Sequence, residues 1–157
     1  MKQSAGILLF RKINNQIEFF LVHPGGPFFA RKDKGWWTVP KGEFILPELP
    51  LSAAIREFKE ETGFDLTGDF ISLQPIVQKG GKQVLCWAVE GDIDPLKIIS
   101  NTFEIEWPPR SGKMKVFPEI DKAGWFTKEE AKELINERQT AFINELVSLV
   151  CPSKKMT

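Results

Sequence analysis

The chain has 157 residues, 42% of them apolar, with 13 Phe and 5 Trp, and its 21 basic residues are matched by 21 acidic ones. That length fits one domain, residues 1–157, with a real core. Balanced charge gives no reason to expect a polyanionic partner such as duplex DNA, so no nucleic-acid polymer is expected, while a small anionic ligand held locally stays open.

Two cysteines, Cys86 and Cys151, lack CxxC or Cys/His spacing. They read as reduced thiols of a cytoplasmic protein, not as zinc ligands or a disulfide framework. No signal peptide is expected at the N-terminus, and no apolar run is long enough to span a membrane.

Ala5–Phe10 and Ile17–Val22 read as strands joined by a turn at Asn14-Asn15. A loop rich in Pro, Gly and charge, 23–35, leads to a short strand at Trp36–Val39 that stops at Pro40. Leu51, Ala54, Ile55 and Phe58 repeat with helical spacing, so Pro50–Thr62 is expected to be an amphipathic helix. Pro50 suits its first turn and Gly63 its C-terminal cap, whereas Leu49 is a poor N-cap.

Phe70–Gln78 and Lys82–Val89 read as strands joined at Gly80-Gly81. Residues 92–110 look irregular, and Met114–Phe117 and Gly124–Phe126 are short strand candidates. Thr127 and Glu130 form a capping-box pattern for a helix carrying Ala131, Leu134 and Ile135. A last helix places Ile143, Leu146, Val147 and Val150 on one side. With no repeat or linker, the chain reads as one mixed α/β domain.

Glu57, Glu60 and Glu61 share one face of the first helix, at the edge of its apolar stripe. Like charges repel there, and acids in a last turn oppose the helix dipole, each at about 0.3–1 kcal/mol. A solvated acidic face, with Arg56 pairing to Glu60, is the simple reading of the helix alone. The accumulation also suits a hard cation such as Mg²⁺, which takes carboxylate oxygens and leaves positions for water and phosphate.

Wider spacing decides between them. Gly42, Glu48, Arg56-Glu57-Phe58, Glu60-Glu61 and Gly63-Phe64 fall at fixed intervals. This segment, 42–64, closely resembles the signature of the Nudix hydrolases, including MutT-like enzymes and those that cleave dinucleoside polyphosphates. The resemblance implies an α/β/α sandwich with a mixed β-sheet and a pyrophosphohydrolase needing Mg²⁺, or Mn²⁺ in its place. It implies metal ligation by Glu57, Glu60, Glu61 and the Gly42 carbonyl. Glu57, or another of the acids, would serve as base, with Arg56 orienting its neighbour and Glu48 bracing the loop. A further acidic ligand is implied outside the motif. Glu119 is the first choice, with Asp121, Glu104 and Glu106 as competitors.

Lys41 and Arg31 are candidates for holding substrate phosphates, and Trp37, in the run Trp37–Gly42, for holding the substrate. Phe28, Phe29 and Trp36 are further rings that could stack on a base. His23, the only histidine, reads as structural. The expected substrate is a nucleoside triphosphate or dinucleoside polyphosphate, and ionised carboxylates predict activity at neutral to alkaline pH. A non-catalytic nucleotide-binding module is the rival reading, as is a hydrolase of a nucleotide sugar or a capped RNA 5′ end.

Overall fold

A computed structural model describes residues 2–150. Strand β1 (Gln3–Ile13) turns through Asn14 and Asn15 into β2 (Gln16–Pro24). Both asparagines have positive φ, at 51° and 65°, the conformation a two-residue hairpin turn requires and Asn tolerates. The remaining elements are β3 (Lys41–Phe44), α1 (Pro50–Thr62), β4 (Ile71–Ser72), β5 (Ile76–Val77), β6 (Gln83–Glu90), β7 (Thr102–Glu106), β8 (Met114–Pro118), β9 (Ile120–Thr127), α2 (Lys128–Leu134) and α3 (Thr140–Val150).

The main sheet runs β4-β6-β1-β2-β9, with β3 added to β1 and β5 to β6. It is mixed: β1 and β6 are parallel, while β1–β2, β1–β3 and β2–β9 are antiparallel. β1 is apolar on both sides because both sides are covered. Ala5, Ile7 and Leu9 join Phe20, Val22 and the Ala53, Ala54 and Phe58 face of α1. Leu8 and Phe10 join Phe19, Leu21, Ala131, Phe142, Ile143 and Leu146 beneath α2 and α3. This is the expected α/β/α sandwich. β7 and β8 form a separate two-stranded ribbon.

Helix α1 begins at Leu49 without a side-chain cap and ends at Gly63, whose φ of 84° lets its N–H reach the Lys59 carbonyl at 2.7 Å. Phe58 is fully buried and anchors α1 to Phe20. Phe58→Ala is expected to destabilise the fold by about 3–5 kcal/mol, read as a lower urea midpoint at unchanged slope.

Several expectations are corrected. Trp36–Val39 is not a strand: only Trp37 and Thr38 form isolated bridges, to Ile135 and Val22. The strand lies further on, at Lys41–Phe44, where β1 supplies the partner. Phe70–Gln78 is broken at Leu73-Gln74-Pro75 into β4 and β5, since Pro cannot donate to a ladder. The stretch 92–110 contains β7, and the final strand is longer than Gly124–Phe126. Cys151 and the ends of the single-domain span lie outside the described residues. No helix among those described is long and apolar enough to cross a membrane.

Candidate active site

Arg56 organises the acids of α1. Its Nε and Nη2 donate to the two oxygens of Glu48 at 2.7 and 2.9 Å, a forked pair. Its Nη1 donates to Glu57 at 2.9 Å and Glu60 at 2.7 Å. One guanidinium therefore ties the 45–49 loop to the helix and holds two carboxylates in place.

Glu57 is 9% exposed. Its carboxylate lies against Gly42 of β3, and a Cβ at position 42 would overlap it. The residue at 42 must lack a side chain for helix and strand to meet here. Glu61 points toward the same strand and accepts the Lys41 backbone N–H at 3.2 Å.

Glu119 reaches this cluster through the backbone. The Asn101 N–H donates to the Glu60 carbonyl at 2.7 Å, the Glu119 N–H to the Asn101 carbonyl at 2.8 Å, and the Gly25 N–H to the Glu119 carbonyl at 2.8 Å. These bonds also satisfy a carbonyl of the last turn of α1, which would otherwise lack a partner. Of the competing acids, Asp121 accepts from His23 Nδ1 at 2.7 Å. Glu106 takes the Arg110 and Gly112 amides, and Glu104 lies on the β7–β8 ribbon.

The acids strain one another electrostatically. Burial, then the Glu57 charge, pushes Glu61 up to about 8. Burial, then Glu60, raises Glu57 and Glu119 above the usual carboxylate range, and Glu119 contributes to the rise of both Glu57 and Glu61. Arg56 alone does not neutralise this set. Its donors are all oxygen, the chemistry of a hard divalent cation, and an added positive charge is what the raised carboxyls lack. Among the described residues no three side chains already converge as a closed cage, and Arg56 is bonded to both Glu57 and Glu60. Beside them lies a cleft of about 520 Å³ lined by Arg56, Lys59, Glu60, Gly63, Ile99 and Asn101.

The substrate candidates separate. Lys41 adjoins Gly42, and burial and the neighbouring Lys82 draw its ammonium pKa down. Lys82 itself pairs with Glu43 at 2.8 Å, and among the described residues no carboxylate pairs with Lys41. Arg31 is exposed on the loop after β2. Trp37 is corrected as a stacking surface. It is 7% exposed, its indole donates to Asp33 at 2.9 Å, and its ring packs edge-on to Phe126 and His23. The exposed indole is Trp36. His23 is fully buried with both ring nitrogens bonded, to Asp121 and the Lys32 carbonyl, which is a structural placement.

The amino-acid sequence does not point to Asn101. No local pattern distinguishes it, because its role is a backbone bridge between two distant acids.

Comparison with known proteins agrees with this geometry. Residues 2–146 match the family model described as the NUDIX domain. A Saccharomyces cerevisiae m7GpppN-mRNA hydrolase is 33% identical over 92 residues, 57% of this chain, and the match spans only 8% of that protein's length. A Caenorhabditis elegans Ap4A hydrolase, solved as a binary complex, has a TM-score of 0.64 at 22% identity, covering 96% of this chain and 98% of that one. The NUDIX domain of Shewanella oneidensis NrtR, complexed with ADP ribose, gives 0.62 at 14%, covering 94% and 87%. The chain belongs to the NUDIX domain family.

Proposed function

We propose that the chain is a Mg²⁺-dependent pyrophosphohydrolase, with Mn²⁺ as an alternative ion, that cleaves a nucleoside triphosphate or a dinucleoside polyphosphate. The observation that carries this is the gathering of Glu57, Glu60 and Glu61 beside Gly42 and Lys41, with Arg56 bonded to Glu57 and Glu60 and Glu61 bonded to the Lys41 N–H. The likeness in fold to an Ap4A hydrolase is consistent with the dinucleoside substrate.

In this reading Glu57, Glu60, Glu61, Glu119 and the Gly42 carbonyl would hold the cation. Bound there, it would offset phosphate charge and lower the pKa of water. Where Glu57 does not ligate, it serves instead as the base that receives the proton of the attacking water. Arg56 keeps Glu57 and Glu60 oriented. Lys41 and Arg31 bind phosphate oxygens beyond the cleavage point. A cytoplasmic location, where Cys86 remains a thiol, belongs to the same proposal.

Purified protein with Mg²⁺ and a panel of ATP, diadenosine tetraphosphate, ADP-ribose and capped RNA, with products resolved by mass, tests it. Cleavage is expected to fall by at least about tenfold in Glu60→Gln. No cleavage of any compound, with Glu60→Gln indistinguishable from wild type, would overturn the enzyme. Cleavage confined to capped RNA would replace the substrate, a reading favoured by the similarity to the yeast mRNA hydrolase.

Metal removal gives a second test. Glu61 has a folded-state pKa above its ordinary value of 4.5, at about 8. The metal-free fold therefore loses stability as pH rises from 4.5 toward 8, since the unfolded chain releases this proton first. A cation requires the ionised carboxylate, so its binding expels the proton, and apparent Mg²⁺ affinity rises with pH up to about 8. Calorimetry in buffers of different ionisation heat reads the released proton. An affinity flat between pH 6 and 8 would remove Glu61 from the ligand set.

A further inference from the structure

The chain is neutral overall, but its charge is not evenly spread. The loop after β2 contributes Arg31, Lys32 and Lys34 against Asp33, and the tip joining β7 to β8 contributes Arg110 and Lys113 with no acid between Trp107 and Lys115. The two segments meet. Phe28 packs edge-on against Trp107 with ring centroids 5.4 Å apart, and the next residue, Phe29, lies 5.7 Å from Trp36. Lys32 Nζ sits 5.3 Å over the Trp36 ring. Below this, Gly26 abuts Phe103 of β7, so the ribbon is seated on the loop.

The result is two pairs of aromatic rings, joined through the adjacent residues Phe28 and Phe29 and edged with cations. Phe28 is 56% exposed and Trp36 44%, so neither is spent on the core. Among the described residues Arg31, Lys32, Arg110 and Lys113 form no ion pair; Lys34 pairs with Glu133 at 2.6 Å. The nearby Glu106 is turned to the backbone amides of Arg110 and Gly112, which fixes the tip. The loop that carries these rings begins beside Gly25, whose N–H is bonded to the Glu119 carbonyl.

Two exposed rings, Phe28 and Trp36, each backed by a half-buried partner ring and with unpaired cations alongside, are the chemistry that holds unstacked bases and their phosphates. A duplex hides its base faces and an acidic peptide has no use for the rings. We propose that this surface binds a single-stranded polynucleotide. The proposal uses none of the carboxylates and shares only Arg31 with the hydrolase reading, so the two can fail separately.

Fluorescence anisotropy of labelled twelve-nucleotide RNA and DNA, in EDTA so that nothing is hydrolysed, tests it. Wild type is expected to bind both or one of them, with log K falling against log salt at a slope of about −2 to −3, for three or four phosphates. Phe28→Ala with Trp36→Ala is expected to weaken binding by about thirtyfold or more at unchanged slope. Arg110→Ala with Lys113→Ala, at an exposed tip where folding is not at stake, is expected to flatten the slope by about 1. Thermal melts of each variant show whether it is folded. The proposal is overturned if wild type binds neither strand at 50 mM salt. It is also overturned if a duplex of equal length binds as well, if the folded ring variant binds like wild type, or if only phosphatidylserine vesicles are bound.

Discussion

Glu57→Gln is expected to lower turnover by about 10²–10⁴-fold, the range for removal of a general base, while leaving the metal-free protein at least as stable as wild type. The two effects have one origin. Glu57 is buried beside Glu60, and its carboxyl is raised by burial first and then by that neighbour. Its ionised form is therefore disfavoured in the fold without a cation. Because the folded pKa is raised, wild type loses stability as pH climbs through it, and an amide that cannot ionise does not. Glutamine still offers an oxygen to Arg56 Nη1, now 2.9 Å from the carboxylate, so the brace is kept. Melting temperature against pH should be flatter in the variant, and Mg²⁺ should raise it less. A residue that only packs would behave differently: its loss would lower stability and activity together. A Glu57→Gln protein that is both less stable without metal and nearly as active would show that Glu57 is part of the scaffold.

Much of this site was legible in the sequence because its parts are local. Helical spacing places Glu57, Glu60 and Glu61 on one face and Arg56 beside Glu60, whereas the fork from Arg56 to Glu48, eight residues away, depends on how the loop folds back. The hairpin at Asn14-Asn15 and the αL cap at Gly63 were legible for the same reason: the residue types answer a backbone requirement within a few positions. What was not legible depends on distant partners. Lys-Gly-Glu-Phe has no apolar alternation and becomes a strand only because β1 pairs with it, Gly42 opposite Ala5. Thr102–Glu106 does alternate, with Phe103 and Ile105 less exposed than their neighbours, but prolines on either side masked it. Trp37 illustrates the opposite error. Its sequence position beside the motif suggested a ligand surface, whereas Phe126 and His23, far apart in the chain, enclose it. Only resemblance points to Glu119, because its approach to the helix depends on the distant bridge through Asn101.

Gly42→Ala is expected to reduce activity by about 10²-fold or more, as a displacement of about 1 Å in a reacting group does. The cause is steric and specific. Gly42 is not among the glycines with positive φ, so alanine suits the backbone and conformational strain is not involved. The added methyl instead overlaps the Glu57 carboxylate. Either the carboxylate swings away, pulling against Arg56, or β3 shifts from α1 and loosens the Lys41 N–H bond to Glu61. Both routes disperse the acids. The pairing with Glu57 supplies the decisive measurement. In a Glu57→Ala background the space under residue 42 is free, so Gly42→Ala should add little further loss of activity or stability. A double-mutant cycle is then strongly non-additive, as neighbours that share one contact are. Additive effects would mean that Gly42 serves the site by some route other than making room for Glu57.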